Sequence, residues 1–175
     1  MIKDRSERGG MIHKYVFGDP IETDAVVREI GESCWSDGLL HKEGNAFYYE
    51  LQPDEIVYGL GENVRGMNKR GWRYVSNCSD NPNHCEHTNS LYGAHNFIMA
   101  GDGADNTFGV FVDIPGKITF DVGYTNTDQL VILPEDENYK IYLIEGNSYQ
   151  EVVREFRELI GRSYIAPRWA LGYGQ

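Results

Sequence analysis

The 175 residues carry 27 acidic and 16 basic side chains, a formal charge of −11 that repels both nucleic acid and an anionic membrane surface. Hydrophobic residues at 41% and aromatics at 13% suffice for one folded domain and are too many for a disordered chain. No apolar run approaches the ~18 residues of a membrane-spanning helix, so no nucleic-acid or membrane partner is expected.

The first ten residues, MIKDRSERGG, are polar and lack the apolar stretch of a secretory signal. MIHKYVFG, from Met11, reads as a more natural beginning, so residues 1–10 are expected to be a disordered extension. Three cysteines, an odd number, argue against a disulfide framework and for a reducing, cytoplasmic location. Six segments then read as strands, being rich in β-branched and aromatic residues and separated by turn residues. They are NAFYYELQ near Ala46, DEIVYGLG near Ile56, TFGVFVDI near Phe108, KITFDVGY from Lys117, QLVILPE near Leu130 and YKIYLIEG near Ile141. In KITFDVGY, Ile118, Phe120, Val122 and Tyr124 share one face and Lys117, Thr119 and Asp121 the other, the period of a half-buried antiparallel strand. Short strands at this spacing predict an all-β sandwich or barrel.

Between the strands lie motifs that could carry chemistry. GLGENVRG, Gly59 to Gly66, has its third glycine displaced from the dinucleotide fingerprint and opens no helical period, so it reads as a glycine-rich turn. The carboxylates of DGADN and PEDEN, around Asp102 and Glu135, read as solvated turn residues rather than an acid–base pair. VSNCSDNPNHCEHTNS, Val75 to Ser90, is richer. Cys78, His84, Cys85 and His87 are ligands that zinc prefers, yet His84 and Cys85 are adjacent, whereas structural sites pair ligands two to four residues apart in two knuckles. No metal or cofactor is expected, which leaves an ordered surface loop or a loop that binds a ligand.

A helix is predicted over 148–160. Ser148 and Glu151 form a capping box, Tyr149, Val152, Val153, Phe156, Leu159 and Ile160 recur at three- and four-residue spacing, and Gly161 stands at the stop. After Pro167 the chain resumes an apolar, strand-like character to Gln175.

Five segments, in order, resemble the N-terminal part of glycoside hydrolase family 31, the α-glucosidase family. They are VYGLGE at Val57–Glu62, Asp80-Asn81-Pro82, SLYGAHNF at Ser90–Phe97, TFGVFVD at Thr107–Asp113 and APRWALGYGQ at Ala166–Gln175. One departure is Asn96, where the family commonly has proline. The resemblance implies a mainly β fold, an antiparallel β-sandwich of the galactose mutarotase-like type over residues 11–164 with its terminal helix at 148–160. Residues 165–175 would then be the first strand of a (β/α)₈ catalytic barrel, which needs roughly 250 residues that this chain does not hold. In the family two barrel carboxylates about 5 Å apart perform the retaining reaction, so the chain by itself is expected to have no catalytic residues and no activity. The resemblance also implies that the 75–90 loop helps to form the sugar pocket. Asp80 is then the substrate-binding residue, with Asn81 and His84 beside it, since a carboxylate accepts charge-assisted bonds from sugar hydroxyls. The partners implied are an α-glucoside or oligosaccharide, the barrel, and a second copy where the strand edge is left bare. Two other functions compete: a self-sufficient carbohydrate-binding module with a platform drawn from Trp35, Trp72 and the many tyrosines, and a small mutarotase-like enzyme using His95 and Glu62.

Overall fold

The computed structural model describes residues 11–172, so the expected extension at 1–10 and the last three residues of the expected barrel strand lie outside it. Ten strands occur among the described residues. In chain order they are β1 (Met11–Phe17), β2 (His41–Glu43), β3 (Ala46–Glu50), β4 (Ile56–Gly59), β5 (Trp72–Ser76), β6 (Phe97–Gly101), β7 (Thr107–Asp113), β8 (Ile118–Val122), β9 (Gln129–Pro134) and β10 (Tyr139–Gly146). They form two five-stranded antiparallel sheets, ordered β1-β10-β7-β6-β4 and β2-β3-β9-β8-β5. This is the antiparallel sandwich expected from the alternating segments, and all six of those segments are strands.

The two sheets bury one main core between them. Alternate residues of β7 and β10 (Phe108, Val110 and Val112; Tyr139, Ile141 and Leu143) join Phe47 from β3, Phe120 from β8 and Ile132 from β9 in that layer. The intervening residues of β10, Tyr142 and Ile144, point to the opposite side and are buried as well, in a second cluster with Phe97, Val152 and Leu159. The first sheet is thus covered on both faces, which explains why β10 and β6 read as apolar runs rather than as clean alternation. In KITFDVGY the pattern holds only to Val122. Gly123 turns the chain, Tyr124 is exposed, and Asp121 is buried rather than solvated. Asp121 is buried because it is fully bonded, accepting from Arg73 Nε and Nη2 (3.1 and 3.0 Å) and from the Tyr124 and Thr125 amides (both 3.0 Å).

Helix α1 (Tyr149–Ile160) covers the outer face of the first sheet. Ser148 caps it, its hydroxyl accepting from Glu151 N at 3.2 Å, while the Glu151 carboxylate accepts from Asn147 N at 2.9 Å, one residue further back than in the standard box. Val152 and Leu159 are fully buried and Phe156 lies flat on Phe97 with ring centroids 3.7 Å apart, whereas Val153 falls on the exposed side. Gly161 does end the helix at φ 86°, but with ψ 169° it leaves extended instead of in the left-handed helical region. The last turn is closed from elsewhere. Val27 N and Arg28 N both donate to Leu159 O (2.9 and 3.2 Å) from a strap, residues 19–33, laid over the same face of the sheet. Val26 and Ile30 of the strap pack into the second cluster. Thr23 Oγ1 donates to Asp113, and Lys140 Nζ pairs with Glu22 Oε2 at 2.7 Å.

Beyond the helix, the expected strand is not formed. Arg168–Leu171 make one short 3₁₀ turn with Ala170 N bonded to Pro167 O at 2.9 Å, and no strand pairs with it among the described residues. A strand needs an edge to pair with, and an unpaired apolar segment takes local hydrogen bonds instead. Tyr164, Ile165, Trp169 and Leu171 are all exposed there, Trp169 to 85%.

Candidate functional site

Strand β5 is the edge of one sheet and β4 the edge of the other, and the connection from β5 to β6, residues 77–96, passes between the two sheets. Structureless connections of this length in compact domains are commonly functional. This one is held by a set of specific bonds. Glu62 N donates to Gly93 O at 2.8 Å, Gly93 N returns a bond to Glu62 Oε2 at 2.8 Å, and Leu91 N donates to Glu62 O at 3.3 Å. Ser79 N donates to Leu91 O at 3.0 Å and Ser79 Oγ to Ser90 O at 2.8 Å. The glycine-rich turn makes this staple possible. Gly61 has φ 66°, and a Cβ on it would lie 2.0 Å from Gly93 O, a conformation and an approach that only glycine allows.

A second tie comes from Arg65, whose Nε donates to Glu86 O (2.7 Å) and Nη1 to Arg73 O (2.8 Å). Its guanidinium lies over the rings of Trp72 (4.3 Å) and Tyr74 (4.8 Å), a cation–π stack that carries the loop on the strand. Asn96, in the position of the family's proline, uses its amide for packing. It accepts from Ser76 Oγ at 2.6 Å and its backbone carbonyl accepts from Val112 N at 3.0 Å.

On this frame the three nominated residues differ in what they leave open. Asn81 Oδ1 accepts from Asn83 N (3.0 Å) and His84 Nδ1 donates to Asn81 O (2.9 Å), so both side chains build the turn that follows Asp80. Asp80 is exposed and its Oδ1 accepts from Tyr92 Oη at 2.7 Å, while no described residue bonds its Oδ2. That hydrogen bond and the Asp80 charge raise the Tyr92 phenol above its ordinary pKa, with a smaller push from Glu62. The free oxygen can accept a ligand hydroxyl. Sequence reasoning missed Tyr92, Arg65 and the Glu62 staple. Tyr92 stood in the quoted SLYGAHNF segment, but its partner lies across a turn that no spacing rule reveals.

Two of the zinc-type residues are engaged elsewhere, His84 in the bond above and His87 packed edge-on to Trp72 (6.1 Å). Cys85 N donates to Thr88 Oγ1 at 3.0 Å, and that hydroxyl lies 3.9 Å from Cys85 Sγ. Among the described residues no group of three His, Cys, Asp or Glu is placed to hold a metal ion. Cys34, Cys78 and Cys85 are free thiols, and no helix among the described residues is long and apolar enough to cross a membrane. Trp35 packs edge-on against Tyr15, Phe17 and Phe47, and Trp72 is covered by Arg65, so neither offers an open platform for a sugar. Glu62 of the mutarotase-type pair spends its carboxylate on Gly93 N. A cavity of about 280 Å³ lined by Leu39, Tyr49, Gln52, Asn106 and Phe108 lies at the other end of the sandwich, near the start of β7 and the end of β10. Asp80 thus stands on a surface loop, not in that cavity.

Comparison with known proteins agrees with this architecture. Residues 5–121 match the model of the glycosyl hydrolase 31 N-terminal galactose mutarotase-like domain. The chain is 27% identical to an α-glucosidase of Saccharolobus solfataricus over 93% of its own length and 24% of that protein. It is 30% identical to α-glucosidase 2 of Bacillus thermoamyloliquefaciens, covering 77% of this chain and 18% of the other. Among solved structures, a Flavobacterium johnsoniae GH31 dextranase complexed with glucose superposes with a TM-score of 0.65 at 26% identity, over 79% of this chain and 17% of that one. The chain therefore spans about a quarter or less of the curated relatives it matches.

Proposed function

Because this chain belongs to the N-terminal galactose mutarotase-like domain family of glycosyl hydrolase 31, we propose that it serves a retaining α-glucosidase whose catalytic barrel supplies the reacting carboxylates. The domain supports that barrel and lends it the 77–96 loop. Asp80 accepts a hydroxyl of the α-glucoside beyond the bond that is cut, and the Asn81–His84 turn forms the shoulder of the same subsite. The segment from residue 165 onward pairs as the first barrel strand once its neighbours are present, and a second copy takes that edge where they are not. One observation carries this reading: a loop tied down by backbone staples presents a free carboxylate oxygen at an open surface. Such a part is half of a pocket, preorganised for a second half.

The experiment is Asp80→Ala in the complete enzyme, with maltose-type disaccharides as substrates. The loss in kcat/KM should correspond to about 1.5–3 kcal/mol, the range for a hydrogen bond to a charged group, with the melting temperature unchanged because Asp80 is exposed. Parental kcat/KM in that variant removes the loop from the sugar site.

A further inference from the structure

We propose that Tyr92 is a positioning residue for the sugar contact, holding the Asp80 carboxylate so that Oδ2, which no described residue bonds, stays in one place to accept a hydroxyl. The proposal rests on the assignment of Asp80 to the sugar subsite and adds to it how that side chain is aimed. An exposed aspartate ordinarily samples several rotamers, and fixing one on substrate binding costs side-chain entropy. Here the fixing is done beforehand. Tyr92 Oη donates to Asp80 Oδ1 at 2.7 Å.

The tyrosine can do this because its own backbone is held on both sides. Leu91 donates its amide to Glu62 O and accepts at its carbonyl from Ser79 N. Gly93 donates to Glu62 Oε2 and accepts from Glu62 N. Ser79, whose amide donates to Leu91 O and whose hydroxyl donates to Ser90 O, is the residue immediately before Asp80. Both partners of the Tyr92–Asp80 bond therefore hang from one stapled frame. Tyr92 is nevertheless 59% exposed, and its side chain is named in no packing cluster of the core. A tyrosine placed for stability would be buried; this one is spent on a surface carboxylate. The raised phenol, caused first by the Asp80 hydrogen bond, accords with the geometry.

Two measurements test it. In the 175-residue chain, Tyr92 labelled with ¹³C at the ring and assigned through Tyr92→Phe should titrate higher in the parent than in Asp80→Asn. In the complete enzyme, Tyr92→Phe should raise KM for a disaccharide about three- to tenfold, the value of one net hydrogen bond, with kcat unchanged because uniform binding is what is lost. In an Asp80→Ala background the same substitution should do nothing further, since the hydroxyl acts only through the carboxylate. Multiplying losses in the double variant, or a parental KM for Tyr92→Phe while Asp80→Ala is impaired, would overturn the positioning role. If Asp80→Ala itself keeps its KM, the sugar subsite is misassigned and the proposal falls with it. The titration then still shows whether the pair exists, so the two failures are told apart.

Discussion

Gly61→Ala should unfasten the candidate site. At φ 66° an alanine costs about 1 kcal/mol against glycine for the left-handed backbone alone. The added Cβ would also lie 2.0 Å from Gly93 O and 3.0 Å from His95 N, both backbone atoms, so no side-chain rotation relieves the contact. The turn must move away from the loop, and three bonds are at risk: Glu62 N to Gly93 O, Gly93 N to Glu62 Oε2, and Leu91 N to Glu62 O. Each is worth about 0.5–1.5 kcal/mol net, and water recovers part of it at this exposed position. The sum is about 2–4 kcal/mol, or roughly 5–12 °C in melting temperature for a domain of this size. Urea denaturation of the chain gives the free energy, and amide hydrogen exchange locates it. The Leu91 and Gly93 amides should lose protection while Val110 and Ile141 in the core keep theirs. A variant within about 0.5 kcal/mol of the parent, with both loop amides still protected, would refute the claim that the glycine-rich turn staples this loop.

Leu159→Ala, at a fully buried position, should cost about 2–5 kcal/mol, and exchange at the Val27 and Arg28 amides should accelerate because the helix turn that carries their acceptor, Leu159 O, loses its buried anchor. For Asp121, burial pushes the carboxyl up, but bonds from Thr125, Arg73 and Tyr124 together outweigh it and hold the pKa below the usual value. A depressed folded pKa gives stability that is present above the unfolded value of about 3.9 and is lost as pH falls through the folded one. Asp121→Asn should therefore be about 1.5–3 kcal/mol less stable at pH 7, with the gap to the parent closing below about pH 4; parallel stability curves would contradict this. The 175-residue chain should not turn over an aryl α-glucoside, because the retaining reaction needs a nucleophile and an acid that the resemblance places on the barrel; turnover that survives control for host enzymes would contradict it.

Period-two patterning found six strands because each of those segments alternates or is bounded by turn residues. It passed over β1 and the three-residue β2, over β6, FIMAG, whose residues face a core on both sides and show no alternation, and over β5, WRYVS, where Arg73 breaks the apolar run. It placed Asp121 on a solvated face because alternation tells which side a residue faces, not whether an arginine from the next strand covers it. The helix was legible from its start, where Ser148 and Glu151 are local partners. Its stop at Gly161 was legible too, but not the closure of its last turn, since the amides of Val27 and Arg28 come from a strap near the other end of the chain. The same division holds at the site. Asp80 was reached through the resemblance. Tyr92 was not, because its partnership depends on Glu62 drawing Leu91 and Gly93 into place, a tertiary arrangement with no local signal.

The capping of α1 by the strap has a consequence for how the chain emerges from the ribosome. Among the described residues strand β1 pairs with β10, Ile12 facing Ile144, and the strap finds its acceptor at Leu159. At a synthesis rate of ~5–20 residues per second, β1 and the strap are made on the order of ten seconds before β10 and the helix. During that interval Ile12, Val26 and Ile30, all destined for the second cluster, lack Tyr142, Ile144, Val152 and Leu159 to pack on. The second sheet can pair meanwhile, since its last strand, β9, ends at Pro134. The outer layer cannot, and it closes in one step when the helix is released. Segments of this kind, apolar and temporarily unpaired, are what a ribosome-associated chaperone binds on a nascent chain.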